Sequence, residues 1–209
     1  MSVENNVYFN FKSYNHYKNS AQKPRKKLNT KALVGATAGM VGTIALTNVM
    51  FKKKDLSAFQ EASRMIIMAA GANVGGVLGG SIGATKEQKE KKWKEAGFQM
   101  LNVTAPMLMV SSFLAACNKN KSLKNNKAVK IIGSAAAMVG GAFVATNLHN
   151  AMKDKDEPHR KYTYKDTFTN FDDVVATIKI GFKEFAEKIP VDKILPFIYT
   201  YNGYRAGDK

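Results

Sequence analysis

The chain alternates between charged segments and long segments that carry no charge. Four windows contain no Asp, Glu, Lys or Arg: Ala32 to Phe51, Met65 to Thr85, Ala96 to Asn118 and Ile131 to Met152, of 20, 21, 23 and 22 residues. A helix rises about 1.5 Å per residue, so roughly 20 residues cross a hydrocarbon core about 30 Å thick. Each window therefore predicts a spanning helix, placed near 32–51, 65–85, 97–118 and 131–152. A helix on a soluble domain would show a charged face. Here the polar residues are few and neutral: Thr37, Thr43 and Thr47, then Asn73, then Thr104 and Ser111. The second window, MIIMAAGANVGGVLGGSIGA, holds six glycines. Each would cost about 1 kcal/mol relative to Ala in a water-exposed helix. Lipid offers the backbone no competing partners, so glycine-rich helices survive there.

The hydrophobic drive of a single window is modest. The first has seven strongly apolar residues (Leu33, Val34, Val41, Ile44, Leu46, Val49, Phe51). At about 0.3 to 0.6 kcal/mol each, they favour insertion by only a few kcal/mol. Flanking lysines and neighbouring helices must supply the rest.

The last part of the chain has a different pattern. Residues 153–169 form a charged linker. Asn170 is placed to cap a helix, with Asp172 and Asp173 in its first turn. Phe171, Val174, Val175, Ile178, Phe182, Phe185 and Ile189 recur at three and four, giving one apolar face opposite Lys179, Lys183, Glu184, Glu187 and Lys188. Pro190 predicts a stop near Ile189, followed by a short VDKIL turn and the aromatic tail PFIYTYNGYRAGDK, within 170–209. This helix has three outlets: the membrane surface, its own bundle, or a protein partner. The expected fold is all-α, a four-helix transmembrane bundle with glycine-zipper packing plus a C-terminal amphipathic helix.

Net charge is +16 and the single cysteine, Cys117, excludes an internal disulfide. Lys and Arg number 7 before the first window, then 4, 5 and 5 in the successive connections, and 11 after the fourth. An even number of spans puts both tails on one side. The excess of positive charge on that side favours the cytoplasm, and Lys and Asn richness fits an AT-rich bacterial genome. A bacterial cytoplasmic membrane is the expected location. The basic tail 1–31 reads as a disordered topology anchor. Its Lys23, Arg25, Lys26, Lys27 and Lys31 attract anionic lipid headgroups by about 1 kcal/mol each. The interleaved aromatics and lysines of this tail are compatible with nucleic acid, but a membrane anchor accounts for them more simply, and no nucleic-acid partner is expected.

Small residues mark the expected helix-packing faces. Gly71, Gly75, Gly79 and Gly83 are spaced by four and resemble a glycine zipper, a flat strip against which another backbone can come close. Gly76 and Gly80 widen it. Shorter versions are Gly35 and Gly39 in the first window, and Gly133, Ala137 and Gly141 in the fourth. Such strips join helices within one chain, or build a homo-oligomer around a pore. Val34 to Asn48 also resembles Ile132 to Asn147, an echo that either an inverted repeat or Gly/Ala convergence produces. Each window holds an asparagine (Asn48, Asn73, Asn102, Asn147), which serves as interhelical glue or as the lining of a solute path. Pro106 predicts a kink in the third helix.

No catalytic constellation is present. There is no phosphate loop, no Gly-x-Ser-x-Gly and no metal spacing among His16, His149 and His159. Neither cofactor nor metal is expected, nor is enzyme activity. No charged residue lies inside a window, which disfavours proton relays and ion-coupled transport. The glycine-rich four-span plan is similar in outline to the mitochondrial inner-membrane translocase family that includes the channel subunits. The likeness is architectural: that family's signature pairs an Arg with an acid, whereas Arg64 here is followed four residues later by Met68. The two expected roles are a structural or assembly protein of the membrane and, alternatively, an oligomeric pore or small-solute transporter.

Overall fold

The computed structural model describes residues 28–52, 56–152, 171–182 and 188–208. Within them the regular structure is all helical: α1 (Thr30–Met50), α2 (Ala58–Gly80), α3 (Lys86–Lys119), α4 (Lys127–Ala151), α5 (Phe171–Gly181) and α6 (Val191–Asp208). Residues 1–27 of the basic tail, the linker, Asn170, Lys183, Glu184, Phe185 and Glu187 lie outside the described residues, whereas Thr30 and Lys31, expected in the disordered tail, begin α1.

The helix starts follow from local chemistry. Ser57 and Gln60 form a reciprocal capping box, the Gln60 N–H donating to Ser57 Oγ (3.3 Å) and the Ser57 N–H to Gln60 Oε1 (2.9 Å). Thr85 and Gln88 repeat this arrangement at α3 (3.3 and 3.0 Å). Each box satisfies two N–H groups that the first turn leaves without partners. Asn29 and Asn126 cap α1 and α4 by accepting from the N–H groups of Ala32 and Val129 (both 3.1 Å).

α1 through α4 are long and apolar enough to cross a membrane. Their surfaces support that reading. Val34, Val41, Leu46 and Val49 of α1, Leu78 of α2 and Ile132, Phe143 and Leu148 of α4 are all exposed, Ile132 at 71%. A protein surrounded by water does not present so continuous an apolar surface. α3 has 34 residues, or about 51 Å of helix, well over a hydrocarbon thickness of about 30 Å. Its charged first part, Lys86 to Glu95, projects beyond the apolar stretch and carries an exposed pair, Lys91 Nζ to Glu87 Oε1 at 2.7 Å.

α2 is the centre of the bundle, with α1, α3 and α6 on three of its faces. α1 runs antiparallel to it, α3 antiparallel on another side, and α4 packs antiparallel on α3, as short connections require. The principal core joins Met40 of α1, Met65, Met68 and Ala72 of α2, Val103, Met107 and Val110 of α3, and Met138 of α4. Pro106 sits inside α3, fully buried. It removes the N–H that the Asn102 carbonyl would otherwise receive.

α2, α3 and α4 start at Ala58, Lys86 and Lys127, ahead of the expected 65, 97 and 131, and the structure departs from the sequence reading in two further places. α2 ends at Gly80, not near residue 85, and Gly83 adopts φ +82° in the turn that follows. Gly83 is therefore a turn glycine, and a Cβ built on it meets nothing within 4 Å; it does not extend the packing strip. Its value lies in the left-handed conformation. The second departure is at the C-terminal end. α5 ends at Gly181 instead of running to Ile189, and the expected turn and tail form α6, an 18-residue helix with Pro196 inside it. Pro196 lies in the second turn, where it removes one backbone bond. The buried row Val191, Leu195, Tyr199, Gly203 and Gly207 offsets that loss by packing at every fourth residue.

Both C-terminal helices join the bundle. Val175, Ala176 and Ile180 of α5 and Val191, Leu195 and Tyr199 of α6 lie in the principal core. α6 runs parallel to α2: Asp192 and Leu195 lie beside Glu61 and Met65, while Gly207 lies beside Gly76 and Gly80. The end of α6 thus returns to the start of α1, with Ala32 Cβ next to Gly207.

Candidate functional site

The first candidate feature is the pair of glycine faces on α2. Gly71, Gly75 and Gly79 face α1. A Cβ built on Gly75 would collide with the Gly35 carbonyl, one on Gly79 with the Lys31 carbonyl, and one on Gly71 with Thr43 and the Gly39 carbonyl oxygen (2.7 Å). Reciprocally, Cβ atoms on Gly35 and Gly39 would strike the carbonyls of Gly75 and Gly71. At these positions only hydrogen fits between the two backbones.

The second face, which looks toward α6, was not anticipated. A Cβ on Gly76 would meet the Gly203 carbonyl, one on Gly80 the Gly207 carbonyl, and one on Gly203 the Ala72 carbonyl. The signal was in the sequence, since Gly203 and Gly207 are four apart. It was masked by the Tyr, Asn and Arg residues around it. At the far end of α6, the buried Lys92 of α3 donates from Nζ to the Gly207 carbonyl at 2.5 Å. This puts a cation against the negative end of the α6 dipole.

On α4 the expected strip meets side chains and a proline rather than a facing glycine row. Gly133 receives the Phe113 ring, Gly141 sits against Pro106, and Ala137 borders the core. His149 lies against Phe98 with ring centroids 4.2 Å apart.

The four asparagines do not come together. Asn73 is buried in the core at 1% exposure. Its amide donates to the Ala69 carbonyl (2.9 Å) and the Met100 sulfur (3.7 Å), leaving Oδ1 without a partner. Asn102 is half-buried, and Asn48 and Asn147 are exposed. Asn48 Oδ1 accepts from Arg64 at 3.1 Å. Arg64 belongs to a polar cluster at the start of α2, with Glu61, Lys179 and Asp192 around a cavity of about 50 Å³. Lys179 pairs with Asp192 at 2.8 Å.

A larger cavity of about 680 Å³ opens at the same end of the bundle. Leu56, Leu114, Ile131, Ile180 and Phe182 give it apolar walls. Lys124, Lys127, Lys130, Asn118 and Asn125 supply its polar lining. Lys130 Nζ donates to Asn118 Oδ1 at 2.8 Å.

Among the described residues outside the apolar segments, Glu87 is a carboxylate with a resolved perturbation. The hydrogen bond from Lys91, reinforced by its charge, holds Glu87 below the usual carboxylate range and raises Lys91 in turn. Among the described residues, no group of three or more His, Cys, Asp or Glu side chains could hold a metal ion. Comparison with protein-family models, curated proteins and solved structures finds no match.

Proposed function

We propose that this chain is a multi-pass integral membrane protein with a structural or assembly role, its α1–α2 and α2–α6 seams acting as glycine zippers. The observation that carries the reading is the inversion of its surfaces. The outer faces of α1 and α4 are apolar, while glycine backbones meet at the centre. Such an arrangement suits lipid outside and close backbone packing inside. The scatter of the four asparagines favours a closed bundle over a solute path. Both described ends lie at one end of the bundle, which agrees with tails on one side, and the excess of Lys and Arg in the tails favours the cytoplasmic side of a bacterial membrane.

An oligomeric pore is the alternative, and the outer face of α1 speaks for it. Ala38, Gly42 and Ala45 are exposed there, and a Cβ on Gly42 meets nothing within 4 Å. That strip could receive a second copy. The deciding experiment purifies the chain in detergent, measures its mass, and reconstitutes it in liposomes loaded with small solutes. A monomer or small assembly without flux agrees with the structural role. A defined ring with solute flux would replace it by the pore. A chain that remained dissolved without detergent would remove both.

A further inference from the structure

We infer that the 680 Å³ cavity is a binding site for a phospholipid with an anionic headgroup, with the lysines holding the phosphate and the apolar walls receiving the start of the acyl chains. This inference rests on the membrane reading above. The first argument is position. Asn118 and Ile131, which both line the cavity, are the last residue of the third charge-free window and the first of the fourth. The cavity therefore straddles the level at which hydrocarbon gives way to water.

The second argument is the sorting of its walls. Leu114 and Ile131 lie within those charge-free windows, and Ile180 is a buried core residue. Lys124 and Lys127 lie in or beside the connecting loop, and Lys130 is one turn into α4. Free phosphate would need the cations but not the apolar walls. A neutral lipid would need the walls but not the cations. An amphiphile with net negative charge at its polar end needs both. Among the described residues no Asp or Glu lines the cavity, and the start of α4 adds the positive end of its dipole. A volume of 680 Å³ falls within the range of about 300 to 1,000 Å³ usual for ligand sites.

Such a site also accounts for a feature of the charge pattern. The loops opposite the tails carry 9 basic residues, 4 in the first connection and 5 in the third, although topology signals alone would leave that side poor in Lys and Arg. A lipid site uses three of them.

The test is titration of phosphatidylglycerol, phosphatidylcholine and inorganic phosphate into the detergent-purified full chain, read by native mass spectrometry and by thermal unfolding. The chain should retain phosphatidylglycerol and gain thermal stability from it, but not from millimolar phosphate. A lysine beside an anionic surface contributes a factor of about five. The triple variant Lys124→Gln/Lys127→Gln/Lys130→Gln should therefore weaken phosphatidylglycerol binding on the order of 100-fold and leave phosphatidylcholine unchanged. The single variant Lys124→Gln, at an exposed loop position, should weaken it about fivefold and covers the case in which the triple variant does not fold. A charge-matched control at the other end of the molecule, Lys86→Gln/Lys89→Gln/Lys91→Gln, should keep full affinity. Equal losses in cavity and control variants would mean diffuse attraction and overturn the site. Stabilisation by inorganic phosphate alone would reassign it to the free ion. A chain that needs detergent but does not distinguish the two lipids overturns the site alone. A chain that is soluble without detergent overturns the membrane reading as well.

Discussion

Replacing Gly75 by alanine adds one methyl group where α1 and α2 meet. The new Cβ would lie 2.9 Å from the Gly35 carbonyl carbon and 3.1 Å from the Gly39 Cα, and closer still to the Gly35 carbonyl oxygen. Carbon atoms reach their optimal separation at about 3.5 to 4.0 Å, so the two backbones must move apart by half an ångström or more. No flexible side chain is there to yield. The other contacts of the seam, at Gly39–Gly71 and Lys31–Gly79, open with it. Overpacking of this kind costs about 1 to 3 kcal/mol, and a rigid backbone partner places it near 3. Alanine's better helix propensity returns at most about 1 kcal/mol, and less where water does not reach the backbone, leaving a net loss of about 2 to 3 kcal/mol. For a chain of this length that lowers the melting temperature by about 4 to 12 °C. Gly42 provides the control, since a Cβ there meets nothing within 4 Å. Gly42→Ala, on a face that lipid covers, should move the melting temperature by no more than about 2 °C. The assay is thermal unfolding in detergent, followed by the reaction of a thiol dye with Cys117, which is 1% exposed in the folded chain. If the two variants shift in the same direction by similar amounts, the close approach of α1 and α2 at Gly75 is wrong.

Three further outcomes follow from the same geometry. Lys92→Met leaves the Gly207 carbonyl without its charged donor and should cost about 1 to 3 kcal/mol, seen as faster hydrogen exchange at the amides of 206–208; unchanged exchange refutes the capping role. Gly203→Leu drives a side chain into the Ala72 carbonyl, so exchange should rise across 195–207 while the chain stays in the carbonate-washed membrane pellet, and an α6 that remained protected would contradict the second seam. Glu87 titrates below its ordinary 4.5, so its pairing with Lys91 stabilises the folded chain above that pH and is lost as pH falls through the lowered value. Lys91→Gln should move the Glu87 carboxyl resonance midpoint upward in an NMR titration, and an unmoved midpoint would exclude the pair.

The four long helices were legible because the absence of charge over 20 or more residues is a strong constraint. Their ends were less so. Ser57–Gln60 and Thr85–Gln88 carry the capping-box pattern, and they start α2 and α3 several residues before the charge-free windows begin, because backbone N–H groups and not hydropathy decide where a helix starts. Gly83 continued the four-residue rhythm in sequence, yet α2 stops at Gly80, so spacing alone did not separate a packing glycine from a turn glycine. α6 was the element least visible. Its partner face is a glycine strip on a helix more than a hundred residues away, and no local propensity encodes that contact. Pro196 and the polar residues around Gly203 both argued against a buried helix. The cavity was likewise hidden, because its lysines are ordinary loop residues until α5 brings Ile180 and Phe182 alongside them.

The parallel placement of α6 on α2 has a consequence for biosynthesis. Gly76 and Gly203 touch in the finished fold but are 127 residues apart along the chain. At about 5 to 20 residues per second, the ribosome needs roughly 6 to 25 seconds to make that interval. Throughout it, the groove of Ala72, Gly76 and Gly80 waits in the nascent bundle without its occupant. Any interruption of synthesis between α4 and α6 would release a molecule with its four long apolar helices made and an open, glycine-floored cleft, a natural target for quality control.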